Sequence, residues 1–382
     1  MLLMQFSFTT ATADKKTQAR TGEIHTPHGI IQTPAFIPVG TQASVKSLSP
    51  HELDTLDVQM FFVNTYHMYL RPGMNIIKKF GGLHAFMNWQ KPIITDSGGF
   101  QVFSLAKGDS SLVKITEEGV EFRSHWDGTK HLFTAESSMQ WQWEMGSDIH
   151  IAFDDCTPYG KSEEDTKASM ERTHRWAVRS AAAHKKLVRA KRPYQALYGV
   201  VQGGVYENLR VQSAKFISAL DTDGIAIGGV SVGESKKEMA TVLDWVMPYL
   251  PDDKPRHLLG VGEIDDIFVA IEHGIDTFDC VQPTRLARVG TLFVQGKQHQ
   301  MDVTKKMYAE KKEPIMKGCT CYTCRHFSVG YIHHLFRVRE LLAYRLATIH
   351  NIHFVNQLVG EIRTAIEKGS FLELKKQWGY NR

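Results

Sequence analysis

The chain has 382 residues, 42% of them hydrophobic and 23% charged, with five cysteines and a formal net charge of +4. This balance excludes a disordered chain and a disulfide-stapled secreted domain, and no apolar run approaches the ~18 residues of a membrane-spanning helix. The opening MLLMQFSFTT has neither a basic n-region nor a cleavage site, so no signal peptide is predicted, and clustered rather than spread cysteines point to a reducing cytoplasm. Taken in chain order, apolar β-rich runs cover 60–65, 92–96, 149–154, 196–202, 224–229, 257–261 and 276–281, with helix-like stretches between many of them, such as 163–191 and 236–250. Continuous apolar strands alternating with helices indicate a parallel sheet covered on its outer face. So many units in this length predict an α/β fold of the (β/α)8 TIM-barrel type rather than an open doubly wound sheet. The eighth strand is the weak point, with 291–294 as its candidate. Two stretches break the rhythm: 107–133 reads as hairpins, and 295–330 holds closely spaced thiols. The expected organisation is a barrel over 1–294, with an N-terminal β extension and a hairpin insertion near 107–133. A metal-binding subdomain inserted at the C-terminal side and closing helices fill 295–382.

Charge is unevenly spread. Residues 301–382 hold 14 Lys+Arg against 7 Asp+Glu, while the rest of the chain holds 31 against 34. A basic C-terminal segment suits a phosphate backbone, and suits a solvated helical face equally well. The basic run 184–192 closes a helix, where cations are favourable against the helix dipole, or it touches nucleic acid.

In a barrel the C-terminal ends of the strands converge on one site. Here those ends carry Asp96, Asp154, Gln202, Gly228-Gly229 and Asp279. Buried carboxylates are costly unless paired or used. Two of them suit a nucleophile and an acid/base for glycosidic chemistry. Asp96 opens Asp96-Ser97-Gly98-Gly99-Phe100-Gln101, whose glycines admit close approach of backbone N–H groups and whose Phe100 offers a face for a flat base. Asp279 is followed by Arg285 and Arg288, side chains suited to phosphate and base contacts or to a structural ion pair with the carboxylate. Of Asp154 and Asp155 only one can face the pocket, and strand phase does not choose between them. Cys156 reads equally as a small buried hydrophobe. Gln202 and the two Gly-Gly turns add amide groups without charge, which fits a neutral heterocycle.

Cys319, Cys321 and Cys324 form a C-x-C-x-x-C knuckle, and His350 follows in an apolar helical stretch. Tetrahedral Zn²⁺ takes about four such ligands at roughly 2.0–2.3 Å. Four protein ligands leave no open position, so one structural Zn²⁺ per chain is expected. His353 competes with His350 for the fourth place.

These residues resemble the tRNA-guanine transglycosylases (queuine tRNA-ribosyltransferases) of bacterial type. The likeness runs from Ala19-Arg20-Thr21-Gly22 through Asn64-Thr65-Tyr66-His67, DSGGFQ at 96–101, Phe153-Asp154-Asp155-Cys156, Val201-Gln202-Gly203-Gly204 and FDCVQPTR at 278–285 to the thiol knuckle. It implies exchange of the wobble guanine of certain tRNAs for a 7-deazaguanine, in queuosine biosynthesis. Carried over by position, Asp279 is the nucleophile and Asp96 the general acid/base. Asp154, Gln202 and the Gly229 backbone bind the base beside Phe100, Cys156 and Leu259. Arg285 and Arg288 contact anticodon-loop bases, and Cys319, Cys321, Cys324 and His350 hold zinc. Leu259 stands where relatives often have methionine, and Val230-Ser231 where leucine and alanine are common. Cys156 and Val232 match the bacterial pattern, which implies 7-aminomethyl-7-deazaguanine rather than the bulkier queuine as substrate. The resemblance also implies a homodimer with the zinc segment near its interface.

Overall fold

Eight short parallel strands close into a barrel among the residues described by the computed structural model, which are 6–105, 112–189, 193–231, 233–296 and 299–380. The strands are Ala35–Pro38 (β1), Phe61–Val63 (β2), Ile93–Thr95 (β3), Ile149–Ile151 (β4), Ala196–Val201 (β5), Gly224–Ile227 (β6), Arg256–Leu258 (β7) and Thr277–Cys280 (β8). Each is hydrogen-bonded to its sequence neighbour, and β8 pairs with β1 from Thr277 opposite Ala35 to Cys280 opposite Pro38. The ring closes between β1 and β2, where Val39 bridges Phe62 and Gly40 N–H donates to Phe62 O at 2.7 Å. The expected (β/α)8 barrel is therefore present.

One strand assignment is corrected. The eighth strand is Ala35–Pro38, not 291–294. Thr291–Phe293 is a strand, but it pairs antiparallel with Gln300–Asp302 in a separate hairpin. The true eighth strand is four residues long with prolines at 34 and 38, and a short run broken by proline reads from sequence as an edge or a loop.

Alternation along the strands sets the two faces. Ile94, Ile149, Ile151, Tyr198, Val200 and Ala226 point inward and form one buried cluster. Their neighbours Ile93, Val201, Ile225, Ile227, Leu258 and Phe278 pack outward in the larger core shared with the surrounding helices. An antiparallel sheet of Ser7–Ala13, Arg20–Thr26 and Gly29–Thr33 adds Ile24 and Ile31 to the inner cluster. Arg20 pins that sheet to the entry of β8, its Nε and Nη2 donating to the two oxygens of Asp276 at 2.9 and 2.7 Å.

The hairpin region is a three-stranded antiparallel sheet, Val113–Ile115, Gly119–Arg123 and Lys130–Thr134, inserted between β3 and β4. Residues 107–111 of that expected insertion, 190–192 of the basic run, and Val232 lie outside the described residues. The C-terminal helix Leu341–Glu367 packs on β1, and its Asn351 ties it to the hairpin by accepting from Phe293 N–H at 2.9 Å and donating to Thr291 O at 3.0 Å. Among the described residues no helix is long and apolar enough to cross a membrane.

Candidate active site and metal centre

The C-terminal rim of the barrel opens on a cavity of about 690 Å³. Asp96, Phe100, Asp154, Cys156, Gln202, Gly229, Leu259, Asp279 and Arg285 all line it. Strand phase explains most of this convergence. Gln202 continues the inward series of Tyr198 and Val200, Asp96 follows Ile94, and Asp279 follows Thr277.

Asp96 is enclosed. Its Oδ1 accepts from Thr65 N–H at 2.8 Å and Gly98 N–H at 3.2 Å, and its Oδ2 accepts from Asn64 Nδ2. Burial pushes its pKa up to about 7 although these donors favour the carboxylate. Gly98 makes the turn possible: its φ is +84°, and a Cβ there would lie 2.9 Å from the Phe133 ring.

Asp154, not Asp155, faces the cavity. Its Oδ1 accepts from Ser97 Oγ at 3.0 Å and its Oδ2 from Gln202 Nε2 at 2.8 Å. Burial raises its pKa to about 6, against the pull of those two donors. Asp155 turns the other way into an ion pair with Arg172 on the helix Glu163–Leu187. Strand β4 ends at Ile151, so the pleat no longer fixes direction at position 154.

Asp279 sits at the other side of the mouth. Its Oδ1 accepts from Gly260 N–H at 3.0 Å and from His257 Nε2 at 3.2 Å. Phe100 is 39% exposed at the rim. Burial raises the Cys156 thiol far above its ordinary range, so it stays a neutral packing group. Arg285 is exposed beside the cavity, whereas Arg288 folds back so that its Nη1 donates to Thr284 O at 2.9 Å.

Arg210, on the helix Glu207–Ser218, braces the Gly-rich wall from behind. Fully buried, it donates to Gly204 O at 2.7 Å, Gly228 O at 2.8 Å and Gly229 O at 2.8 Å. Burial lowers its pKa to about 10, so it remains charged at neutral pH. Gly229 has φ +63°, and a Cβ on it would come within 2.6 Å of Gln202 Oε1.

Sequence reading named Asn64, Thr65 and Ser97 within motifs but gave them no role, and it missed His257 and Arg210. Asn64 and Thr65 end a strand as the carboxylates do, and that position was the available signal. His257 is a polar residue inside an apolar strand, a second visible signal. Nothing local marks Arg210.

The thiol knuckle is a separate, buried centre. Cys319, Cys321, Cys324 and His350 place their ligand atoms within 4.8 Å of one another. His350 Nδ1 lies 3.9, 3.6 and 3.4 Å from the three sulfurs in chain order. Tetrahedral coordination at ordinary Zn–S and Zn–N lengths places N and S about 3.6 Å apart. The other ring nitrogen, Nε2, donates to Phe293 O at 2.6 Å, which leaves Nδ1 free to ligate. His353 is outside this set and contacts Thr320 Oγ1 at 3.3 Å. The donor set and its geometry fit a metal ion.

Fold and site together define a (β/α)8-barrel enzyme with a carboxylate- and amide-lined cleft and a buried Cys3His cluster able to hold a metal ion. Residues 14–382 match the family model described as "Queuine tRNA-ribosyltransferase". A queuine tRNA-ribosyltransferase from Thermoanaerobacter pseudethanolicus is 52% identical over 365 residues, 96% of this chain and 94% of that protein. One from Caldanaerobacter subterraneus subsp. tengcongensis is 50% identical over the same shares of the two chains. The chain belongs to the queuine tRNA-ribosyltransferase family.

Proposed function

We propose that this protein is a tRNA-guanine transglycosylase that replaces the wobble guanine of target tRNAs with 7-aminomethyl-7-deazaguanine, in queuosine biosynthesis, through a covalent ribosyl–Asp279 intermediate. The observation that carries this reading is one cavity lined by both Asp279 and Asp96, with Asp154, Gln202 and Gly229 beside them.

The wobble base leaves the anticodon stack and enters the cleft, where Phe100 stacks on it. Asp154 accepts from the N1–H and 2-amino edge, and Gln202 and the Gly229 N–H donate to O6. Asp279 Oδ2 bonds to ribose C1′ as the C1′–N9 bond breaks, and the electron pair goes to the base. Protonated Asp96 supplies a proton to the departing guanine. The deazaguanine then enters, its N9 proton passes to the Asp96 carboxylate, and N9 attacks C1′ to free Asp279. Two inversions give net retention, and no nucleoside triphosphate is consumed.

Arg285, Arg288 and the basic C-terminal segment support binding of the anticodon loop. Zn²⁺ is the metal best matched to the Cys3His set, and its role is structural because the protein fills all four positions. An exposed strip beside it, with Tyr322 49%, Tyr331 40% and Leu341 80% accessible, supports a second copy of the chain as partner.

Competition tests the substrate assignment. With tRNA carrying labelled guanine, 7-aminomethyl-7-deazaguanine is expected to release label at a concentration at least about tenfold below queuine. Equal or better use of queuine sinks the assignment and favours a queuine-inserting enzyme.

The Asp96 assignment predicts a pH profile. With a pKa raised from 3.8 to about 7, the acid form exists below about pH 7 and is lost above it. Single-turnover adduct formation should therefore fall about tenfold per unit well above pH 7, whereas breakdown with the incoming base should fall on the acid side. The same raised pKa makes the folded state lose stability as pH climbs from about 4 to 7, where the buried group ionises. A flat profile for both steps between pH 6 and 9 removes Asp96 from proton transfer.

A further inference from the structure

We infer that His257 is a positioning residue that assists departure of the Asp279 carboxylate in the second displacement; this rests on the reading of Asp279 as nucleophile. His257 lies on β7 with its side chain fully buried in the barrel. Its Nε2 is 3.2 Å from Asp279 Oδ1, and its Nδ1 is 2.9 Å from Thr277 Oγ1. A carboxylate can only accept, so Nε2 carries the proton that points at Oδ1, and the Thr277 hydroxyl holds the other ring nitrogen in place. Phe62 lies nearly parallel to the imidazole, with centroids 6.0 Å apart and 20° between planes. Gly260 N–H adds a second donor to the same oxygen at 3.0 Å.

Both donors meet Oδ1, and among the described residues none is placed on Oδ2. Oδ2 is therefore the atom that bonds to C1′, and Oδ1 becomes the carbonyl oxygen of the ester. When the incoming base attacks, the Oδ2–C1′ bond breaks and its electron pair returns to the carboxylate. The base N9–C1′ bond forms as the N9 proton passes to Asp96. Negative charge reappears over both carboxylate oxygens, and Oδ1 already has two donors aimed at it. Hydrogen bonds to a charged group are stronger than those to a neutral one, so they favour the free carboxylate over the ester. His257 thus lowers the barrier for release and keeps the covalent intermediate from accumulating.

The test uses the full chain with tRNA and free guanine. In His257→Phe, the fraction of protein trapped as a denaturation-resistant tRNA adduct should rise by about tenfold or to saturation. kcat should drop ten- to a hundredfold, and KM for tRNA should fall with it. His257→Gln, whose amide N–H replaces the donor, should restore both. Thr277→Val, which frees the ring to change tautomer, should move adduct and kcat in the same directions by a smaller factor, and it decides the matter if His257→Phe does not fold. A merely structural role would lower adduct formation and turnover together. That result overturns the inference, as does unchanged adduct and kcat in both His257→Phe and Thr277→Val, or a failure of His257→Gln to rescue. Asp279→Asn separates the two readings: adduct persisting in that variant overturns the nucleophile assignment and not the role of His257 alone.

Discussion

Asp279→Asn is expected to abolish the covalent adduct and to cut guanine exchange by on the order of 10⁴-fold or more, as loss of a nucleophile does in other covalent enzymes. The substitution is nearly isosteric. Its amide oxygen can keep both donors now on Oδ1, His257 Nε2 and Gly260 N–H. The amide nitrogen then occupies the Oδ2 position, where it has no attacking lone pair. Stability should consequently change by less than about 1 kcal/mol, because no buried donor is orphaned. Denaturing gels of protein mixed with tRNA, alongside thermal melts, read both outcomes. An adduct forming at the normal rate in this variant would falsify the nucleophile assignment.

The second large effect is structural. Cys321→Ser should take bound metal from one equivalent per chain to below about 0.2, because a neutral hydroxyl is a poor replacement for a thiolate on Zn²⁺. Cys321 is 3% exposed, and its Sγ also accepts from Cys324 N–H at 3.3 Å at the start of the helix Tyr322–His326. Serine can keep that capping contact, so the loss isolates the metal from local helix capping. The centre joins the knuckle to the helix Leu341–Glu367 through His350. Breaking it frees the whole strip proposed to meet a second copy. The melting midpoint should drop by about 5–10 °C. Light scattering should move from twice the 43.3 kDa chain mass toward the single mass. Unaltered metal content measured by atomic absorption would remove these residues as ligands, and an unchanged monomeric mass in the wild type would remove the dimer.

Much of this site was legible because a β pleat has a period of two. Gln202, Asp96 and Asp279 sit in phase with buried inward residues, so strand ends alone located them. The same logic failed where the strand stopped early. At Asp154 the chain had left β4, and only tertiary partners, Ser97 and Gln202 on one side and Arg172 on the other, separated it from Asp155. Ala35–Pro38 was missed because prolines hide a strand whose ladder is supplied by β8 at the far end of the sequence. The Cys3His cluster was readable from spacing and chemistry, but the preference for His350 over His353 is a matter of helix phase against the knuckle. Arg210 was invisible: from sequence it is one more helical arginine, and only burial among carbonyls reveals its work.

That arginine has a consequence for which purines the cleft accepts. Because the Gly228 and Gly229 carbonyls are turned back onto its guanidinium, this stretch of wall does not present those two acceptors to whatever lies in the cavity. In the proposed pose, where the Gly229 N–H donates to O6, a 6-oxo purine meets that donor with a lone pair. A 6-amino purine in that pose would meet the donor with its own hydrogens and leave both sides unpaired, a mismatch that costs far more than a lost contact. On the proposed reading, discrimination between guanine-like and adenine-like bases is thus helped from outside the pocket, by a side chain that turns two carbonyls away from it.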